Sequence, residues 1–339
     1  MTKRKPVCLA LQGGGSHGAF QWGVLDRLFE DDRIEVKAVT AASAGAMNAA
    51  TLITGIEHSG ASGARLALDN LWQDVNRTGG RNLFGQSGAW LKNLTPQWMA
   101  DNPMWQASQT LAMSMSPYSF NPFNLNPLKK VIEAAVDFDA LRASSIRIHI
   151  SATAVRAGQS RIFGNQEMSA DVLLASSCLP HMFQAVEIDG KPYWDGGYLA
   201  NPALWPLFEN NAPDDIILLP LNPVYRQDTP TQSADISDRL NEILFNAPLI
   251  AELRTIAMTQ RLIDVGKLER AKDWQAPKIH AILADNWLGD LSMASKFDTE
   301  WSFLRSLKDA GREAASQWLD DCFDDVGKCT SVNLQEVFL

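Results

Sequence analysis

Histidine and cysteine are scarce in this sequence: five and four residues among 339. The cysteines, Cys8, Cys178, Cys322 and Cys329, stand far apart or without metal-ligand spacing. That excludes a zinc ribbon and a disulfide scaffold. Cys322 and Cys329 are close enough in sequence to pair, yet nothing else points to an oxidising compartment, so reduced thiols in a cytoplasmic protein are expected. No Lys/Arg-rich tract is present, and the net charge is -9. Nucleic acid is therefore not an expected partner, and charge alone does not draw the chain to anionic lipid. Any membrane contact would be apolar, transient and peripheral. No window approaches the apolar length of a membrane span. The basic start, Lys3-Arg4-Lys5, leads into Val7-Cys8-Leu9-Ala10-Leu11, a run too short for a secretory signal and broken by Gly13-Gly14-Gly15.

What is present is ordinary globular composition, 46% hydrophobic and 20% charged. Val7–Leu11 reads as a buried strand ending in a glycine loop, Gly13–Gly18. Helical spacing follows from about Ala19 to Phe29. Gly23 within it costs helix stability, which fits close packing on a sheet. Val36–Ala42 reads as a second strand and Ala44–Ile53 as a second helix closed by Gly55. This alternation begins a parallel α/β sheet. Further on, Asn126 caps a helix from Pro127, and Ile146, Ile148 and Ile150 alternate as a strand. Ser169 caps a short helix through Ser176. Val186–Ile188, Asp189-Gly190 and Lys191–Trp194 form a hairpin that runs into Asp195-Gly196-Gly197. Ile216–Leu221 and Ile279–Leu283 read as strands, and Ser233–Lys272 and Asp298–Asp321 as helical.

Thr78–Pro127 breaks the rhythm. It is rich in Gly, Asn, Pro and Ser but carries Trp90, Trp98, Met99, Met104, Trp105 and Met113. Such content argues against disorder. Two readings stand: an insertion packed on the main core, or an inserted cap lining an apolar pocket. The simplest division is one catalytic domain over residues 5–330, with the inserted segment 78–127 within it and a mostly helical part from 233 to 339.

Two glycine-rich features carry chemistry. Gly13-Gly14-Gly15-Ser16-His17-Gly18 satisfies G-x-G-x-x-G. A dinucleotide site would need an acid at the end of the next strand, where Thr40-Ala41-Ala42-Ser43 stands; a Walker loop would need Gly-Lys-Ser/Thr. Neither is met. Unhindered N–H groups ahead of a helix also suit an oxyanion, where each donor is worth roughly 3 kcal/mol. The second feature, Ala41-Ala42-Ser43-Ala44-Gly45, matches the G-x-S-x-G elbow except for Ala41 in place of the first glycine. Nucleophile and oxyanion donors must meet within ~3 Å of one reacting atom. Adjacent parallel strands bring both loops to one sheet edge.

A serine also needs a base. His58, His149 and His280 lie in loop or strand contexts without companions. His17 and His181 come closer to the motifs but have no carboxylate partner in sequence. Asp195, followed by Gly196 and Gly197, is the stronger candidate, because glycines there permit close backbone approach.

With these residues in place, the chain resembles the patatin-like phospholipases. The resemblance rests on the glycine loop, the Ser43 elbow, the stretch Ala175-Ser176-Ser177-Cys178-Leu179-Pro180-His181-Met182-Phe183, Asp195-Gly196-Gly197 and Asn201-Pro202, in that order, over about Lys5 to Pro223. It implies a three-layer α/β/α fold with a mainly parallel central sheet and a Ser–Asp dyad without histidine. Ser43 would be the nucleophile and Asp195 the base. Main-chain N–H groups of Gly13, Gly14, Gly15 and Ala44 would bind the oxyanion, with His17, Gly18, Gly45, Gly196 and Gly197 supporting the motifs. Substrates would be acyl esters of lipids, and no metal or other cofactor would be needed. Two departures stand out: His17, where many members carry Arg or Lys, and Ala41. The same site would also serve acyl transfer or thioester cleavage, and a distorted elbow would leave a catalytically silent lipid-binding protein.

Overall fold

The computed structural model describes residues 4–79, 116–208, 212–269, 277–289 and 291–339. The expected apolar segment 78–127 lies largely outside these residues, including all of its tryptophans. In chain order the described elements are β1 (Lys5–Leu11), α1 (Gly18–Asp31), β2 (Ile34–Ala41), α2 (Ala44–Gly79), α3 (Leu128–Ala135), α4 (Phe138–Ala143), β3 (Arg147–Ala154), β4 (Gln159–Phe163), α5 (Ala170–Ser176), β5 (Val186–Ile188), β6 (Lys191–Asp195), β7 (Asp215–Leu219), α6 (Ser233–Asp264), β8 (Lys278–Ala281) and α7 (Trp301–Asp321), with short helical turns between them.

One eight-stranded sheet organises these elements, in the order β5-β6-β3-β2-β1-β7-β8, with β4 paired to β3 off that path. The strands from β3 to β8 along this order run parallel, whereas β4, β5 and β6 attach antiparallel. The period of two decides the layers. Val7, Leu9 and Leu11 of β1 and Ile217 and Leu219 of β7 enter one apolar cluster with α1, α2 and α7. Cys8, Ala10, Ile216 and Leu218 enter a second cluster with Leu249, Leu253 and Ile256 of α6. Central strands covered on both faces read as continuous apolar runs, which is why β1 and β7 carry no polar alternation. The result is the three-layer α/β/α arrangement with a mainly parallel sheet.

Several local expectations are met closely. Ser169 Oγ caps α5 by accepting from the Val172 N–H. Asp189 and Gly190 both take positive φ between β5 and β6, as a two-residue hairpin requires. Two are corrected. Gly55 does not close the second helix. The chain stays helical to a break at Ser59-Gly60, where Gly60 has φ +61, and then returns. Gly55 is where the two limbs touch: any side chain there would meet the backbone at Gly63 and Ala64. Gly23 does approach another element, but that element is α7, whose Lys308 backbone fills the space a side chain would need. Reciprocally, Gly311 of α7 lies against the Phe20 carbonyl. The antiparallel strand β4 carries too weak an alternation, Gln-Ser-Arg-Ile-Phe, to be read from sequence. The four cysteines are unpaired. Among the described residues, no helix is long and apolar enough to cross a membrane.

Candidate functional site

The parallel strands β2, β1 and β7 lie side by side, and their C-terminal ends deliver the elbow, the glycine loop and Asn222 to one edge. The register brings Asp195 to the same place by a different route. Ile150 of β3 pairs with Ala41 of β2 and Phe163 of β4, while Ala152 pairs with Arg161 of β4 and Asp195 of β6. So β4 takes one edge of β3, and β2 and β6 share the other, end to end. β6 therefore points Asp195 at the end of β2, where the elbow begins.

Ser43 sits at φ +52, a left-handed conformation that a serine adopts at a cost. Its N–H donates to Ser176 Oγ at 2.9 Å. Gly45 follows because its α-carbon presses on the Leu11 carbonyl, leaving no room for a methyl. The methyl of Ala41, by contrast, is buried in the same apolar cluster as Ala46, Ala49 and Ala50 of α2. With Ala41 in place, Ser43 still takes its left-handed backbone.

Asp195 is only 1% exposed. Its backbone is tied by its N–H to the Cys178 carbonyl at 2.8 Å and by its own carbonyl to Thr153 Oγ1 at 2.8 Å. Oδ1 accepts from the Gly197 N–H at 2.7 Å, while Oδ2 is buried without a hydrogen-bond partner among the described residues. Burial raises the carboxyl pKa to about 7, against the lowering effects of the Gly197 N–H, the Ser43 side chain and the Lys296 charge.

The glycine loop is held by side-chain amides. The Gly13 N–H donates to Asn201 Oδ1 at 2.7 Å, and the Gly13 carbonyl accepts from Asn222 Nδ2 at 3.1 Å. Gln12 Oε1 accepts the N–H groups of Leu221 and Asn222, and Gln21 Nε2 donates to the Gln12 carbonyl. Because the Gly13 N–H is committed to Asn201, it is not free for an oxyanion. Among the described residues, no acceptor holds the N–H groups of Gly14, Gly15 and Ala44. Gly15 has φ +59, and the Lys296 carbonyl crowds its α-carbon.

A cavity of about 110 Å³ opens on these groups. Its wall includes Gly14, Gly15, Ser43, Ala44, Asp195 and Lys296, and is otherwise mostly apolar: Met47, Trp72, Val75, Leu128, Leu179, Phe183, Phe245, Met293 and Phe297. Val75 of α2 and Asn126, just before α3, both reach it.

The histidines stay out of the site. His17 is buried with Nε2 against Ser295 Oγ at 2.7 Å, and burial, then the Lys296 charge, lower its pKa to about 3, so the ring is neutral. His181 is exposed, and His58 pairs with Asp137 at 3.0 Å. The His149 side chain is half-buried on β3, with Nε2 unpartnered among the described residues. His280 joins Asp215 and Ser331 near the far ends of β7 and β8. Sequence reasoning missed Ser176 as the support of the elbow, although it lies in a quoted motif. It also missed Asn222, Phe245 and Lys296, which come from distant segments and carry no local signal.

A family model described as patatin-like phospholipase matches residues 9–208, more than half of the chain. No curated protein sequence matches significantly. Among solved structures, VipD from Legionella pneumophila aligns at 14% identity and a TM-score of 0.44, covering 94% of this chain and 67% of that one. ExoU in complex with SpcU, from the type III secretion system of Pseudomonas aeruginosa, aligns at 14% identity in two structures. Their TM-scores are 0.31 and 0.32, with coverage of 93% and 95% of this chain against 53% and 76% of those.

Proposed function

Because the chain belongs to the patatin-like phospholipase family, we propose that it is a serine acyl hydrolase of lipid esters, working through a Ser43–Asp195 dyad. The observation that carries this reading is the meeting of an elbow serine, a buried carboxyl with a raised pKa and unengaged N–H groups on one mostly apolar cavity.

The chemistry follows from the geometry. A carboxylate at its usual pKa is too weak a base to draw a proton from serine, and a value raised toward neutrality narrows that gap. Asp195 takes the Ser43 hydroxyl proton as Oγ bonds to the acyl carbon, and the carbonyl electron pair moves onto oxygen. The N–H groups of Gly14, Gly15 and Ala44 receive that oxyanion, with the N-terminus of α2 adding its dipole. Collapse expels the alcohol, which recovers the proton from Asp195 and leaves an acyl-serine. Water then attacks the acyl carbon, giving one proton to Asp195. Collapse releases the fatty acid and restores the hydroxyl of Ser43. The apolar wall of Met47, Val75, Leu179 and Phe183 suits an acyl chain.

The test is hydrolysis of p-nitrophenyl esters of graded chain length by the wild type, Ser43→Ala and Asp195→Asn. The expected result is a loss of at least about 10³-fold in kcat for both variants and a preference for longer chains. Full activity in Asp195→Asn would remove the dyad.

A further inference from the structure

The cation that acts on Asp195 comes from beyond the stretch the family model matches. Lys296 lies in the turn Met293–Phe297, which packs on the glycine loop and lines the cavity with Ser43 and Asp195. Its ammonium donates to Asn222 Oδ1 at 2.5 Å. An ammonium offers donors only, so it fixes the rotation of the Asn222 amide: Oδ1 faces Lys296, and Nδ2 faces the Gly13 carbonyl at 3.1 Å. Asn222 is otherwise held by its main chain, with its N–H on Gln12 Oε1 at 2.9 Å and its carbonyl on Asn246 Nδ2 at 3.3 Å. A trans peptide points its C=O and N–H in opposite directions. Anchoring the Gly13 carbonyl on Asn222 therefore aims the Gly14 N–H away from Asn222. Gly14 lines the cavity.

We propose that Lys296 is a positioning residue for the reaction, fixing the Gly14 N–H through Asn222 and setting the charge under which Asp195 works. The inference rests on the Ser43–Asp195 reading and adds to it a requirement for a protonated amine on a separate segment.

The surrounding charges define what this predicts. Burial lowers the Lys296 pKa to about 8; Glu242, Asp238 and Asp195 raise it, and Arg226 lowers it. Asp195, at about 7, faces Cys178 and Tyr198, which burial pushes up to about 12 and which stay neutral through this range. His17 is neutral as well. Activity should rise with pH as Asp195 ionises and fall as Lys296 loses its proton. The two groups interact, so the limbs belong to the pair.

The experiment is kcat/KM for a p-nitrophenyl ester from pH 5 to 10, with kcat and KM separated, on the wild type, Ser43→Ala, Lys296→Arg, Lys296→Met and Asn222→Asp. A bell-shaped profile is expected for the wild type. Lys296→Arg should retain activity and lose the alkaline limb, because a guanidinium does not titrate there. Lys296→Met should lose about 10²-fold in kcat with KM little changed, and its acid limb should move upward in pH. Asn222→Asp keeps an acceptor for Lys296 but removes the donor to Gly13, and should lower kcat by about tenfold. Wild-type kcat and limbs in Lys296→Met, or an alkaline limb that persists in Lys296→Arg, would overturn the proposal while leaving the dyad intact. Should Lys296→Met fail to fold, Lys296→Arg still decides the alkaline limb. Activity that survives Ser43→Ala would instead overturn the reading on which the proposal stands.

Discussion

At the scale of single residues, the site concentrates cost. Ser43 holds a left-handed backbone, and Asp195 holds a carboxyl out of water with one oxygen unpartnered among the described residues. Its raised pKa has a consequence for stability. Between the ordinary value of 3.8 and about 7, the folded chain binds a proton that the unfolded chain has released. Stability therefore falls as pH rises through that window, by on the order of 4 kcal/mol at about 1.4 kcal/mol per pH unit, and the loss is complete above pH 7. Asparagine keeps the shape without the charge. Asp195→Asn should melt higher than the wild type at pH 8 and show little gain at pH 4, while losing activity. Melting curves at the two pH values check it, and equal shifts at both would contradict a buried, titrating carboxyl.

At the scale of elements, strand ends and small residues set the geometry. Serine and aspartate meet because β2 and β6 share one edge of β3 end to end. The sequence carried the hairpin that delivers Asp195 but not the edge it would join, since register is a relation between strands. Helix packing has the same character. Gly23 announced a close approach, but only the fold names α7 as the partner, with Gly311 opposite it on the Phe20 carbonyl. Substituting Gly311→Leu should force α1 and α7 apart, at a cost of about 1–3 kcal/mol. Denaturant unfolding should show a lower midpoint, with Glu313→Ala, at an exposed position of the same helix, affected far less.

At the scale of the whole molecule, the segment matched to the family carries Ser43, Asp195 and the glycine loop, and the remainder completes their surroundings. Asn222 anchors the glycine loop, Phe245, Met293 and Phe297 line the cavity, and Lys296 supplies its cation. β7 and β8 pair onward from β1, so a chain ending at Phe208 would leave β1 as an exposed apolar edge. Such a truncation should be insoluble or lack a cooperative melting transition in circular dichroism. A stable, active truncated chain would show that the C-terminal third is dispensable.

The sequence by itself determined the alternation of strand and helix, the elbow, the glycine loop and Asp195, because each depends on residues close together in the chain: turn conformation, capping and apolar period. It also carried the resemblance that ordered those motifs. Tertiary structure alone decided that Gly13 spends its N–H on Asn201, that Ser176 braces the elbow, that His17 is buried and neutral, and that Lys296 reaches the cavity from the far end of the chain. These are matters of long-range contact and desolvation, and neither leaves a period or a spacing in the sequence to be read.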